Sequence, residues 1–358
     1  MSKPCAKRPV FQRPNFWGLV AAGLLVLAAT VITVLNATVY NAEAPVKDYV
    51  AALKAGEGDT AMAVSAGYLS DEAPEGISTV LLDGEALAAS AAPLKDAEIV
   101  AVDTAVPESF RDEDLTQQVV EIRYRDAEDQ TRATGVVVDK TATSWLFFDH
   151  WEMHPTPLQQ VELAPSRMPE NSKADEPVAH IYEQTTPLLG EDGERGVLAA
   201  FAPSIIELEY HGTYLEAAET QSHAVTDVLA AGATTEFGFQ VELTPAVDEA
   251  INREVQQQLE RCTGQTVLKP AGCPFGYETT NRVVPETVSW SIGMPEVQYS
   301  WDGSEPAIDR IMATAELSAQ EVDIGSGQQA ATDYEEVFEM SADLELTPEN
   351  LRVRPEWQ

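Results

Sequence analysis

The sequence is poor in cysteine and in positive charge, and each shortage closes off chemistry. Three cysteines, Cys5, Cys262 and Cys273, stand in 358 residues. No two of them form a C-x-x-C pair, so thioredoxin-type exchange and four-cysteine zinc sites lack their ligands. S-x-x-K, G-x-S-x-G, the P-loop signature and an EF-hand loop are also missing. β-Lactam-type transpeptidases, serine hydrolases and nucleotide enzymes normally carry one of these. No stretch has a catalytic or cofactor motif, so neither catalysis nor a cofactor is expected.

Basic residues number 22 against 59 acids, for a formal net charge of −37. Their distribution matters more than the total. The first 13 residues hold Lys3, Lys7, Arg8 and Arg13 and no acid; residues 14–42 are uncharged; the first carboxylate is Glu43. A basic cytoplasmic tail (1–15) before an apolar run predicts a single transmembrane helix, N-terminus inside, with the body outside the cell membrane. The apolar stretch at 16–35 has the length of a bilayer core, about 30 Å at 1.5 Å per residue. With the aromatic residues Phe16, Trp17 and Tyr40 near its ends, the expected span is 16–40. A cleaved signal peptide is the competing reading, with Ala42-Glu43-Ala44 as a small-x-small site, but Pro45 would follow the cut and the apolar core is long. Cys5 precedes the run, so it is no lipobox cysteine.

Beyond the run, 18 basic residues face 59 acids, a formal charge of −41. Such a field repels nucleic acid and anionic polymers. It leaves cationic partners, divalent metal ions or simply a solvated acidic surface. About 318 residues exceed what one core organises and predict two or three domains.

The first unit, 45–155, opens with Pro45 in a first helical turn and Val46, Tyr49, Val50 and Leu53 on one helical face. Gly56 and Gly58 break the helix, and Asp59 is placed to cap a second one carrying Met62 and Val64. A third short helix is expected over 84–92. The period then changes to two, with strands at 99–106, at Val120, Ile122 and Tyr124, at 136–138 and at 145–148. The second unit, 156–243, reads as a small all-β domain punctuated by Pro155, Pro157, Pro165, Pro169, Pro177 and Pro187, with strands at 158–163, 178–182, 197–201, 205–210, 213–215 and 237–243. The third, 244–358, begins with Thr244-Pro245 and a helix bearing Val247, Ile251, Val255 and Leu259 up to Cys262. Trp290 and Trp301 mark short strands. Two long ones follow, in which Ile311, Ala313, Ala315 and Leu317, then Phe338, Met340, Ala342, Leu344 and Leu346, alternate with polar residues. The expected class is α+β.

Helices followed by an antiparallel meander, opened by 46–53, Gly58-Asp59 and Ala63, resemble the extracytoplasmic NTF2-like (cystatin-like) domains of bacterial membrane proteins. The third unit repeats that order. The layout resembles membrane-anchored extracytoplasmic proteins of actinobacteria, and is similar to the teicoplanin-resistance-associated membrane protein family of staphylococci. That family often has a Cys₄ zinc ribbon before the span; Cys5 stands alone here, so the ribbon does not carry over. The resemblance implies association with the cell envelope and no reaction.

Three groups of residues stand out. Cys262 and Cys273 pair into an expected disulfide whose closed loop is worth about 3 kcal/mol in the chain-entropy model. Within residues 262–277, Val267, Leu268, Phe275 and Tyr277 form an apolar set that either meets a partner or ties the helix to the sheet. Asp149, His150 and His154 are the densest metal-type cluster, with both histidines on one face if the segment is helical. The Glu stands one place late for H-E-x-x-H, and Pro155 disfavours helix at His154. An NTF2-like cone would place Tyr49, Tyr68, Asp149 and His150 near an interior pocket, the basis of an alternative expectation: small-ligand binding or acid/base catalysis in 45–155. The main expectation is an extracytoplasmic binding or scaffolding protein with an envelope protein as partner.

Overall fold

The computed structural model describes residues 14–70, 73–126, 129–144, 148–190, 194–226, 234–295, 297–301, 307–308 and 311–357. The basic tail with Cys5 and the expected strand residues 145–147 lie outside them.

A helix, α1 (Pro14–Thr38), comes first. Among the described residues no helix is long and apolar enough to cross a membrane. The expected transmembrane span at 16–40 is corrected on that finding.

Three short helices follow, α2 (Ala44–Ala55), α3 (Gly58–Ser65) and α4 (Gly84–Ser90). The first buries Val46, Tyr49, Val50, Ala52 and Leu53, the face read from the sequence. Asp59 does not cap α3; the Gly58 amide donates instead to the Asp83 carboxylate at 2.9 Å. The break between the helices needs glycine for a steric reason. A Cβ at Gly58 would stand 1.8 Å from the Leu82 carbonyl oxygen, and one at Gly56 would stand 2.3 Å from that of Gly84.

Strands β1 (Glu98–Val102), β2 (Thr116–Arg125), β3 (Thr131–Ser144) and β4 (Phe148–Met153) then make an antiparallel meander in the order β1-β2-β3-β4. Val120 and Ile122 are fully buried on its inner face and Tyr124 is 5% exposed.

The next strands are β5 (Gln159–Ser166), β6 (Val178–Ile181), β7 (Gln184–Pro187), β8 (Val197–Ala200), β9 (Ser204–Glu209), β10 (Leu215–Ala217), β11 (Gln221–Val225) and β12 (Thr234–Leu243). They form two four-stranded sheets, ordered β10-β12-β5-β8 and β11-β9-β6-β7, in which only β12 and β5 run parallel. One contiguous core joins them to the helices and the meander, running through Leu53, Leu87, Ile122, Val138, Leu163, Leu198, Ile206 and Phe237. Backbone bonds stitch the two stretches as well: the Leu158 amide donates to the Tyr68 carbonyl and the Ser78 amide to that of Val197, both at 2.8 Å.

The last part begins with α5 (Ala246–Thr263). Strands β13 (Arg282–Val283), β14 (Ser289–Ile292), β15 (Tyr299–Ser300), β16 (Ala307–Ile308), β17 (Ile311–Val322), β18 (Gln329–Leu346) and β19 (Leu351–Trp357) make one seven-stranded sheet. Every pairing in it is antiparallel, with β17 and β18 in register from Ile311 opposite Met340 to Val322 opposite Gln329. Trp301 follows β15 instead of lying within a strand. A second core forms here, joining Val247, Ile251, Val255 and Leu259 of α5 in one cluster with Ala315, Leu317, Phe338 and Met340.

The expected α+β class is therefore corrected: strand makes up 42% of the structure and helix 25%, in several sheets. The alternating runs extend well beyond the segments legible as strands, and α2–α5 serve as covers over sheets.

Gly58→Ala will lower unfolding stability by about 1–3 kcal/mol, because backbone and not a flexible side chain must give way. Gly238→Ala, with open space at its Cβ, will stay within about 0.5 kcal/mol of the parent. Urea unfolding of both variants checks this.

Candidate functional site

The disulfide is present: Cys262 and Cys273 are joined with an S–S distance of 2.06 Å and a Cα–Cα distance of 5.9 Å. It fastens the C-terminal end of α5 to a segment that crosses the inner face of β17 and β18. That segment has almost no regular structure, so its polar groups find partners one at a time. The Gln265 side chain both accepts from the Ala271 amide (2.7 Å) and donates to the Ala271 carbonyl (3.1 Å). Trp290 Nε1 donates to the Val267 carbonyl at 2.8 Å, and the Tyr277 amide donates to the Leu268 carbonyl at 2.8 Å. Lys269 pairs with Glu278.

The four apolar residues that would either meet a partner or tie the helix to the sheet occupy different environments. Phe275 is a core residue, 4% exposed, with its ring 4.7 Å from Trp290 and 5.4 Å from Phe338. Tyr277 lies against Tyr334, centroids 4.9 Å apart, and Leu268 is half-buried on the same core. Val267 alone of the four faces outward, 48% exposed.

Beneath this segment the inner row of the two long strands changes character. The positions that carry Ile311 to Ala319 continue in the same parity to Glu321, and those of Phe338 and Met340 run back to Glu336. Glu321 is 6% exposed. Its Oε2 accepts from Asn281 Nδ2 at 2.7 Å and from Thr279 Oγ1 at 3.1 Å, while Oε1 has no well-formed partner. The Asn281 hydrogen bond is the main reason its pKa lies below the usual 4.5, against the opposing effect of burial. Glu336 Oε2 accepts from the Gly276 amide at 2.8 Å. The bridged segment thus supplies the donors that two inward-facing carboxylates require. Neither was singled out from the sequence, although the period-two pattern reaches both.

Asp149 and His150 lie on β4, not on a helix, so their side chains project to opposite faces. Asp149 pairs with Lys140 at 2.8 Å and accepts from Thr143 at 2.9 Å; the Lys140 bond leads in holding its pKa low. His150 Nε2 is 2.7 Å from Ser144 Oγ, and its ring stands edge-on to Tyr40. His154 instead contacts Asp139, Nδ1 to Oδ2 at 2.8 Å. The strand separates residues that a helix would have stacked. Among the described residues no three His, Cys, Asp or Glu side chains come together as a metal site.

Asp139 went unnoticed in the sequence, hidden at the end of the run Val136-Val137-Val138. It is 5% exposed, and its second oxygen accepts from Gln117 Nε2 at 2.8 Å. A buried carboxylate that orients an imidazole is a geometry used for proton transfer. Here the ring packs edge-on against Phe110, with centroids 5.9 Å apart.

The interior expected around Tyr49 holds little free space. The Tyr49 hydroxyl donates to the Ala202 carbonyl at 2.9 Å, and burial pushes its pKa up. The space beside it, lined by Tyr49, Ser65, Met153, Gln159 and Phe201, has a volume of about 10 Å³, room for one water. Tyr68 is 49% exposed and lies outside this space. No protein-family description, characterised protein or solved structure matches the chain.

Replacing both Cys262 and Cys273 by serine will cost about 3 kcal/mol by releasing an 11-residue tether. Calorimetry with and without reductant checks it: the parent falls to the variant's melting temperature when reduced. Glu321 contributes stability that is present above its unfolded pKa and is lost as pH falls through its lower folded value. Stability will therefore decline from about pH 5 downward, and Glu321→Gln will flatten that part of a pH-dependent urea series while lowering stability at pH 7.

Proposed function

We propose that the chain is an extracytoplasmic binding or scaffolding protein of a bacterial cell envelope, acting by surface contact with another protein and not by catalysis. The observation that carries this reading is the disulfide-tied segment seated on the seven-stranded sheet. A bridge of this kind persists in oxidising compartments. It holds the backbone at Val267 in place through Trp290, so an exposed apolar side chain is presented on a fixed support, where binding loses less entropy. The surface favours the same reading: a formal charge of −37 suits a protein bathed in water and repels nucleic acid. The space at Tyr49 is far below the about 300–1,000 Å³ of small-molecule sites.

Crosslinking of the tagged full-length chain in cells, followed by mass spectrometry, tests the proposal. The expected outcome is one envelope protein recovered in stoichiometric amount, with Val267→Asp reducing the yield at unchanged melting temperature. Recovery of no partner, together with a melting shift on adding a small ligand, would overturn it in favour of a pocket in residues 45–155. A shift produced by calcium alone would overturn it in favour of a cation-binding surface.

A further inference from the structure

Among the described residues the outer edge of β18 is unpaired over part of its length. β17 occupies one side of this strand, and β19 covers the other only from Met340 to Leu346. Among the described residues no strand pairs with the outer side of 329–337. That leaves about 30 Å of extended backbone with alternate amide and carbonyl groups directed at solvent.

The side chains beside this edge are acidic in a particular way. Asp333 and Glu335 are both exposed and on the outward face. Glu335 stands directly opposite the exposed Glu316 of β17, and Asp333 opposite Ser318. Two like charges in directly opposed positions destabilise a strand pair. Among the described residues no cation pairs with Asp333 or Glu335. Val337 and Met312, 61% and 60% exposed, continue the same face with apolar surface. Acid, acid and apolar group therefore follow one another at every second position along an unpaired edge.

We propose that the edge of β18 at 329–337 is a docking site for an extended segment of a partner protein carrying lysine or arginine at alternate positions, which adds to the seven-stranded sheet as a further strand. Backbone hydrogen bonds supply the attachment and side chains two residues apart supply the selection. Cations opposite Asp333 and Glu335 relieve the Glu316–Glu335 repulsion, and an apolar residue beyond them covers Val337. A second copy of this chain is the poorer occupant. Two-fold antiparallel pairing would set Asp333 and Glu335 against their own kind across an interface between bodies of charge −37 each. The inference rests on the binding reading above and names the surface and the chemistry of the partner.

The test uses the full chain and a capped peptide of about ten residues, lysine alternating with threonine and valine, followed by fluorescence anisotropy. The expected result is saturable one-to-one binding, weakened about tenfold or more by D333K/E335K and by the milder D333N/E335Q. Binding is also expected to vanish when alternate backbone nitrogens of the peptide are N-methylated. Equal binding of the methylated peptide would reduce the effect to charge attraction and overturn the proposal. So would unchanged binding by both variants, or a concentration-dependent dimer in sedimentation that the peptide fails to dissociate. If in-cell crosslinking captures a partner that D333K/E335K still binds, the edge inference falls while the broader binding reading stands.

Discussion

The packing of Phe275 between Trp290 and Phe338 is the contact on which the last third of the chain depends. The long hairpin of β17 and β18 has an inner face to cover along its whole length, and α5 covers only part of it. A segment without regular secondary structure must cover the rest, which is costly unless something holds it down. Phe275 holds it by burying a large ring in the second core, and the Cys262–Cys273 bridge holds it by shortening its reach. Once pinned, the segment brings Asn281 and Thr279 to Glu321 and the Gly276 amide to Glu336. The order of dependence runs from ring, to segment, to carboxylates. Loss of the ring would leave two inward-facing carboxylates without their donors, a penalty added to that of the cavity itself.

The first core is built on a different constraint. Helices α2–α4 are too short to stand alone, so their stability comes from packing. They find it against both the meander and the following sheets, as in the bond from Tyr49 to the Ala202 carbonyl and the contact of its ring with Phe201, 6.1 Å between centroids. A tyrosine that spans 153 residues of sequence to reach a backbone carbonyl makes the two stretches mutually dependent. Pro157, one of the prolines that punctuate the sequence here, pairs with Tyr68 in an isolated bridge.

The amphipathic elements were legible wherever periodicity was uninterrupted. The faces of α2 and α5 and the alternation of β17 and β18 were readable because a single burial pattern governs each. The disulfide was readable because only two cysteines remained to pair. Asp149, His150 and His154 would stack only at helical spacing, whereas pairing with β3 imposes a period of two. Asp139 was concealed by three consecutive valines, since an apolar run gives no sign of which neighbour turns inward. Glu321 was missed for a related reason: a carboxylate at a buried parity reads as the end of a strand until a distant Asn281 is known to meet it. The apolar N-terminal stretch read as a span by its composition, whereas among the described residues no helix is long and apolar enough to cross a membrane.

Where the carboxylates sit also bears on what the molecule does. Those directed inward, Asp139, Glu321 and Glu336, each accept hydrogen bonds from groups fixed by the fold, so their charge serves the structure. Those directed outward on the β17–β18 hairpin, Glu316, Glu335 and Asp333, accept little from the fold, and two of them oppose each other across the ladder. Among the described residues no cation pairs with Asp333 or Glu335 and no strand pairs with the backbone edge beside them, so that charge has its favourable interactions still to gain from outside. The acidic excess is thus divided by strand parity alone: one face of a single pleated hairpin spends its acids on holding a segment in place, and the other leaves them for solvent or a partner.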